Sequence, residues 1–226
     1  MAMETPRLVF SNRARVGNLP GGTSDLPATL PWLVAAHAGL GVIGVGCTWA
    51  FGLDPFTTDA WLGTSGVEAF VGSLTLGVTS AVLVIMLSRT LSRRTQWARA
   101  LHDEQRPFVS AQSDLALFAM AIGSGVCEEL FFRSFLGRTV GIVLAAIAFG
   151  VLHQVRGIGR WGWMLTAAGL GVWLSLLFKM TGQLVGPIVA HVIINAANLR
   201  HLRDHRVTVK VRKLGGLLAS TTRDAL

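Results

Sequence analysis

The sequence predicts an all-α protein, a polytopic transmembrane helical bundle with about six membrane spans. Of the 226 residues, 51% are hydrophobic and only 14% are charged, and the mean hydropathy is +0.54. Soluble domains carry about 25% charged residues, so this composition argues against a soluble enzyme with an anchor. The formal net charge of +8 comes from cations that mostly flank apolar segments, which indicates membrane topology. We therefore expect the lipid bilayer, and no nucleic acid, as a partner.

The chain begins with a polar, arginine-containing segment, residues 1–30, which we expect to be a cytoplasmic arm. Residues 31–112 contain two N-terminal spans and a basic cytoplasmic loop. The two spans are predicted at 31–53 and 66–88, and each reaches the roughly 20 residues that a bilayer requires. His37 is a lone histidine on the first span, and we expect it to be a packing or hydrogen-bonded residue.

Charge distribution predicts the orientation. The connection 89–112 contains five arginines, whereas the loop 54–65 has two acids and no lysine or arginine. The positive-inside rule places the first of these on the cytoplasmic side. Within the connection 89–112, the segment 91–105 fits both an interfacial helix and a solvated basic loop. An even number of spans and a basic cytoplasmic tail, 200–226, predict a multi-pass protein of the plasma (inner) membrane with both termini cytoplasmic.

Residues 113–199 contain four further predicted spans, at 113–136, 142–155, 161–178 and 184–199. The third span of the chain places two adjacent glutamates and an arginine inside an apolar run. A carboxylate at membrane depth costs about 2.5–3.5 kcal/mol on insertion scales, which suggests a functional role. Glu129 and Arg133 are four residues apart with the acid first, so they are predicted to form a mainly structural pair. Glu128 points about 100° away from Glu129 around the helix axis, so we predict that it is the residue available for catalysis.

Polar residues of three spans are predicted to meet at one depth. Counted from the two non-cytoplasmic turns at about 1.5 Å per residue, Glu128 lies roughly 15 Å deep, His153 roughly 18 Å, His191 roughly 10 Å and Asn195 roughly 16 Å. Polar groups in hydrocarbon face inward and pair, so spans three, four and six should share a wet cleft. In such a cleft an Asn amide and an imidazole N–H can stabilise an oxyanion.

Three motifs resemble one family. Glu128-Glu129-Leu-Phe-Phe-Arg133 resembles the EExxxR motif of the CPBP family, Phe149-Gly-Val-Leu-His153 its FxxxH motif, and His191-Val-Ile-Ile-Asn195 its HxxxN motif. The family includes type II CAAX prenyl proteases and bacteriocin-processing relatives, and the resemblance covers residues 113–199, the predicted catalytic core. It implies an intramembrane glutamic endopeptidase in which Glu128 activates water, helped by His153. His191 and Asn195 would form the oxyanion hole, and Glu129, Arg133 and Phe149 would support the site.

The implied mechanism needs no cofactor and no covalent intermediate, and the expected partner is a peptide or protein substrate at the membrane. Zinc is an alternative because Glu128, His153 and His191 are candidate ligands, although the sequence lacks an H-E-x-x-H helix. Two other functions stay open. One is a non-catalytic immunity or scaffold protein. The other is a proton-coupled transporter, which is disfavoured because the two halves of the chain show no repeat.

Overall fold

The computed structural model describes residues 29–205 except Arg156, so most of the predicted N-terminal arm and basic tail lie outside the described residues. Within them the chain forms seven helices and no strand, which confirms the all-α class. The helices are α1 Thr29–Ala50, α2 Gly66–Arg94, α3 Gln96–Val109, α4 Asp114–Thr139, α5 Ile142–Leu152, α6 Arg160–Thr181 and α7 Val185–Asp204. Helix α4 includes a π-helical stretch, Leu130–Leu136.

Four of these helices, α1, α2, α4 and α6, are long and apolar enough to cross a membrane. The six predicted spans correspond to six helices, but α5 and α7 do not meet the same criteria. Helix α5 has 11 residues, so it is only about 16 Å long and cannot cross a hydrocarbon core of about 30 Å. The sequence prediction was too long here because it included His153 and the two residues after it, which follow the last turn of α5.

The basic connection predicted at 89–112 is mostly helical. Helix α2 continues to Arg94, Thr95 adopts an extended conformation, and α3 starts at Gln96. Helix α3 buries Ala98, Leu101, His102 and Val109, so one face packs against the bundle. The helical alternative is therefore correct for this segment, and the solvated loop is wrong. Because α2, α3, α6 and α7 all place arginines at this end of the molecule, we call it the basic end.

A close contact between glycines joins α2 to α7. A β-carbon on Gly77 would collide with the backbone of Gly186, so only glycine allows this approach. The Ser73 hydroxyl, one turn before Gly77, donates to the Gln183 carbonyl at 2.9 Å and accepts from the Gly186 N–H at 3.1 Å. These contacts place the first turn of α7, and hence the His191 side chain two turns later.

We predict that Gly77→Ala destabilises the bundle by about 1–3 kcal/mol, because the added methyl group meets backbone atoms that cannot move aside. The measurement is thermal unfolding of the purified protein in detergent. Gly72→Ala is the matched control, since it lies on the same helix with no atom within 4 Å of an added β-carbon. Equal melting temperatures for the two variants would contradict the prediction.

The loop between α1 and α2 crosses the turn between α6 and α7. The Thr58 N–H donates to the Gly182 carbonyl at 3.0 Å, and the Leu184 N–H donates to the Phe56 carbonyl at 2.9 Å. The Phe56 N–H donates to the Asp54 carboxylate and thereby lowers the pKa of Asp54. This loop ties the far ends of α1, α6 and α7 together, so it fixes one end of α1 and α7, two helices that carry histidines of the site.

Candidate active site

Helix α4 changes from α-helical to π-helical directly after the two glutamates. The π-helical stretch covers Leu130–Leu136, and such stretches are rare and occur frequently at functional sites. Helix α1 packs directly against it, because a β-carbon on Gly44 would lie 2.7 Å from the Leu130 carbonyl group. The Thr48 hydroxyl lies 3.3 Å from the Ser134 hydroxyl in the same contact. The contact brings α1, which carries His37, beside Glu128.

Glu129 and Arg133 form a fully buried pair. Their exposed fractions are 0% and 2%, and Glu129 Oε2 lies 3.0 Å from Arg133 Nε. This contact is short but poorly aligned for a hydrogen bond, so charge attraction dominates it. The Arg133 guanidinium also lies 4.4 Å from the centroid of the Phe149 ring, a cation–π geometry. The spacing-based prediction of an ion pair agrees with this geometry.

Glu129 also orients His191. The Nδ1–H of His191 donates to Glu129 Oε1 at 2.7 Å. Because Nδ1 is the donor, the other ring nitrogen, Nε2, is an acceptor in the neutral ring. A buried carboxylate behind a functional imidazole is a common way to determine its tautomer and its direction.

Glu128 lies between imidazoles from different helices and is 8% exposed. Its Oε2 lies 3.7 Å from His153 Nε2 and 3.8 Å from His191 Nε2. Oε2 has no hydrogen-bond partner among the residues that the structure describes. The structure therefore brings together the acid and the two imidazoles that the sequence placed at one depth.

His153 follows the last residue of the short helix α5. Its Nδ1–H donates to the Phe149 carbonyl at 2.7 Å, and the same carbonyl also accepts the His153 backbone N–H at 3.3 Å. The two rings are in contact, with their centroids 4.2 Å apart. The Nε2 of His153 points toward Glu128, 3.7 Å from Oε2.

Asn195 lies one turn after His191 on α7 and contacts a different residue. Its amide donates to the Ser124 hydroxyl at 2.9 Å, and Ser124 is one turn before Glu128 on α4. This bond uses one of the two amide N–H groups. Asn198, three residues further along α7, accepts from Arg89 of α2 at 3.0 Å and so links these two helices.

The sequence reasoning missed His37 as a residue of this site. His37 Nε2 lies 3.1 Å from Glu128 Oε1, closer than either of the other two imidazoles, and its Nδ1–H donates to the Leu33 carbonyl at 2.7 Å. The expectation of a hydrogen-bonded residue is met, but the partner is the proposed catalytic acid. A polar side chain in an otherwise uncharged span needs a polar partner at membrane depth, and that rule could have pointed to Glu128.

A cavity of about 540 Å³ is lined by residues that follow His153 in the chain, including Gln154, Val155, Gly157, Arg160 and Trp161. It lies at the basic end of the molecule. No group of three or more His, Cys, Asp and Glu side chains in residues 29–205, Arg156 aside, is arranged so that it could hold a metal ion.

The fold and this site define an integral membrane protein with a buried carboxylate–imidazole cluster between its helices. Residues 111–197 match the family model described as type II CAAX prenyl endopeptidase Rce1-like, so this segment is similar to that family. The resemblance to CPBP proteases is thereby confirmed. The family supports intramembrane protease activity in general. Helices α1, α2 and α3 lie outside the matched segment.

Among curated proteins, the Uncharacterized protein YpbD of Bacillus subtilis (strain 168) is similar to this chain. The two are 27% identical over 135 residues, which cover 58% of this chain and 69% of the relative. No solved structure matches the chain.

Proposed function

We propose that this protein is a glutamic endopeptidase that hydrolyses a peptide bond of a membrane-associated protein or peptide. One observation carries the proposal. Glu128 Oε2 is buried, has no hydrogen-bond partner among the described residues, and faces the Nε2 atoms of His153 and His191. The distances of 3.7 and 3.8 Å are too long for direct hydrogen bonds. They are short enough for one water molecule to contact the carboxylate and an imidazole together.

Glu128 is the general base in this proposal. As the water oxygen attacks the substrate carbonyl carbon, Oε2 takes a proton from the water, and the electrons of that O–H bond form the new C–O bond. The carbonyl π electrons move onto the carbonyl oxygen. When the C–N bond breaks, the Glu128 carboxyl group returns the proton to the leaving nitrogen. No bond forms between protein and substrate.

The histidines have different roles because their Nδ1 atoms have different partners. The Nδ1–H of His153 is held by a backbone carbonyl, so its neutral Nε2 accepts a hydrogen bond from the water and orients it. The Nδ1–H of His191 donates to the Glu129 carboxylate, so Nε2 can donate as well only when the ring carries both protons. In that form Nε2 donates to the oxyanion, and the second N–H of Asn195 supplies another donor.

We propose that the substrate enters from the basic end, through the cavity that Gln154 and Arg160 help to line. Arginines are concentrated at this end, whereas the loop between α1 and α2 at the opposite end contains acids and no lysine or arginine. By the positive-inside rule, the basic end and both termini face the cytoplasm in this proposal. The membrane is then the plasma (inner) membrane.

The substrate can be identified by comparing cells that carry the wild-type protein with cells that carry Glu128→Gln. Mass spectrometry of their membranes should show full-length proteins that accumulate only with the variant, because the variant binds but does not cut them. Glu68→Gln is the matched control, since it makes the same change at an exposed position on α2. Identical membrane proteomes for wild type and Glu128→Gln, with an unchanged biological effect, would favour a non-catalytic binding protein.

We also propose that catalysis needs no metal, since Glu128 has the water-activating role that a zinc ion would otherwise fill. Treatment with 1,10-phenanthroline or EDTA is expected to leave the cleavage rate unchanged, and the purified protein should contain far less than one zinc per chain. The measurement is cleavage of a fluorescence-quenched peptide library, together with elemental analysis. Activity that is lost with the chelator and restored by zinc would contradict the proposal.

A further inference from the structure

Helix α1, which lies outside the family match, contributes an imidazole to the site. His37 Nε2 is 3.1 Å from Glu128 Oε1, whereas His153 and His191 face the other oxygen, Oε2, at 3.7 and 3.8 Å. The two carboxylate oxygens are thus in different environments. Oε1 contacts His37 of α1, whereas Oε2 faces His153 and His191 and has no hydrogen-bond partner among the described residues.

The hydrogen bonds of His37 imply that it shares a proton with Glu128. A carbonyl oxygen can only accept, so the 2.7 Å contact with Leu33 shows that Nδ1 is the donor. In a neutral ring Nε2 is then an acceptor, and it would face the carboxylate, which is also an acceptor. A 3.1 Å contact between two acceptors is favourable only when one proton lies between them.

We infer that His37 is a positioning residue of the active site, which shares this proton with Oε1 and keeps Glu128 ionised with Oε2 turned toward the cleft. The inference rests on the proposed function of Glu128 as general base. The protonated ring and the carboxylate form a neutral pair, and pairing reduces the cost of a carboxylate at membrane depth. During catalysis the proton on His37 stays in the pair while Oε2 takes and returns the proton of the water.

Other charged and titratable groups also face this carboxylate. They are His153 after α5, His191 on α7, and Glu129 and Arg133 on α4 itself. His37 is the member of the set that contacts Oε1. It is also partly exposed, with 22% of its side chain accessible, so substitution there does not create a cavity in the core.

The experiment compares wild type, His37→Gln and His37→Lys in cleavage of a fluorescence-quenched peptide library across a range of pH. Glutamine keeps a hydrogen-bond donor but removes the charge, and lysine restores a positive charge. For His37→Gln we expect kcat to fall by at least about tenfold with little change in KM. The acidic limb of its rate profile should move up by about one pH unit, because a carboxylate without a nearby cation keeps its proton to higher pH.

His37→Lys should return the acidic limb toward the wild-type position. His201→Gln is the matched control, because His201 lies at the basic end and its ring stacks on that of His205. This substitution should change neither kcat nor the acidic limb of the pH–rate profile. If Glu128→Gln is inactive while His37→Gln matches the wild type, the inference is overturned and the proposed function stands. If Glu128→Gln is active, both are overturned.

Ring-¹⁵N nuclear magnetic resonance of histidine-labelled protein gives a second readout that needs no substrate. The His37 signal, assigned by its loss in His37→Gln, should report a proton on Nε2 at neutral pH in the wild type. In Glu128→Gln the same nitrogen should become unprotonated. If the Nε2 of His37 carries no proton in either the wild type or Glu128→Gln, then His37 and Glu128 do not share a proton.

Discussion

Glu128→Gln is expected to lower kcat/KM for peptide cleavage by about 10⁴-fold, the upper end of the contribution of one general base. The amide has almost the same shape as the carboxyl group but cannot take a proton from water. This loss corresponds to about 5 kcal/mol of transition-state stabilisation. The effect should appear in kcat, since the substituted side chain still fills its place between His153 and His191.

The measurement is steady-state cleavage by purified protein in proteoliposomes, with thermal unfolding and gel filtration as tests of the fold. Glu68→Gln, on the exposed face of α2, controls for the loss of one negative charge in the bundle. Glu128→Gln should melt within a few degrees of the wild type and elute at the same volume. An active Glu128→Gln protein would refute a glutamic mechanism.

Arg133→Ala is expected to destabilise the protein by about 3–5 kcal/mol, the cost of leaving a buried charge without its partner. Arg133 and Glu129 are both inside the bundle, and the guanidinium also covers the face of Phe149. Without Arg133, the Glu129 carboxylate keeps its hydrogen bond from His191 but loses the cation 3.0 Å away. The ring of Phe149, which touches His153, also loses its support.

Unfolding in detergent with increasing denaturant measures this effect. Arg200→Ala is the control, because Arg200 is exposed and lies 3.7 Å from Asp204 in an ordinary surface pair. Such pairs contribute roughly 0–1 kcal/mol. The double variant Glu129→Gln/Arg133→Met should recover part of the stability, since it removes both charges together. A wild-type unfolding curve for Arg133→Ala would show that the pair is not structural.

These two predictions separate chemistry from structure at adjacent residues. Glu128 and Glu129 are neighbours in the chain, but the first faces imidazoles across a cleft and the second is enclosed by Arg133 and His191. Loss of activity with a retained fold is expected for Glu128→Gln. Loss of the fold is expected for Arg133→Ala, with any loss of activity following from it.

Short-range geometry accounts for most of what could be predicted. Apolar composition identified the helices, because residues that face lipid must be apolar. A helical repeat of about 3.6 residues brings side chains four apart onto one face, so the contacts of Glu129 with Arg133 and of Phe149 with His153 could be read from spacing. Helix length was predicted less well, because α5 ends at Leu152 and no glycine or proline separates Leu152 from the three residues that the prediction also included.

The sequence by itself determined the helical membrane class, the family resemblance of residues 111–197, and the acid and two histidines that meet in the bundle. Only the tertiary structure decided that α1 completes the site. His37 and Glu128 are 91 residues apart, and no local periodicity relates them. Their contact depends on how closely two helices approach, which the missing side chain of Gly44 permits against the π-helical part of α4. Tertiary packing likewise decided which nitrogen of each ring faces Glu128, because the partner of Nδ1 determines the role of Nε2.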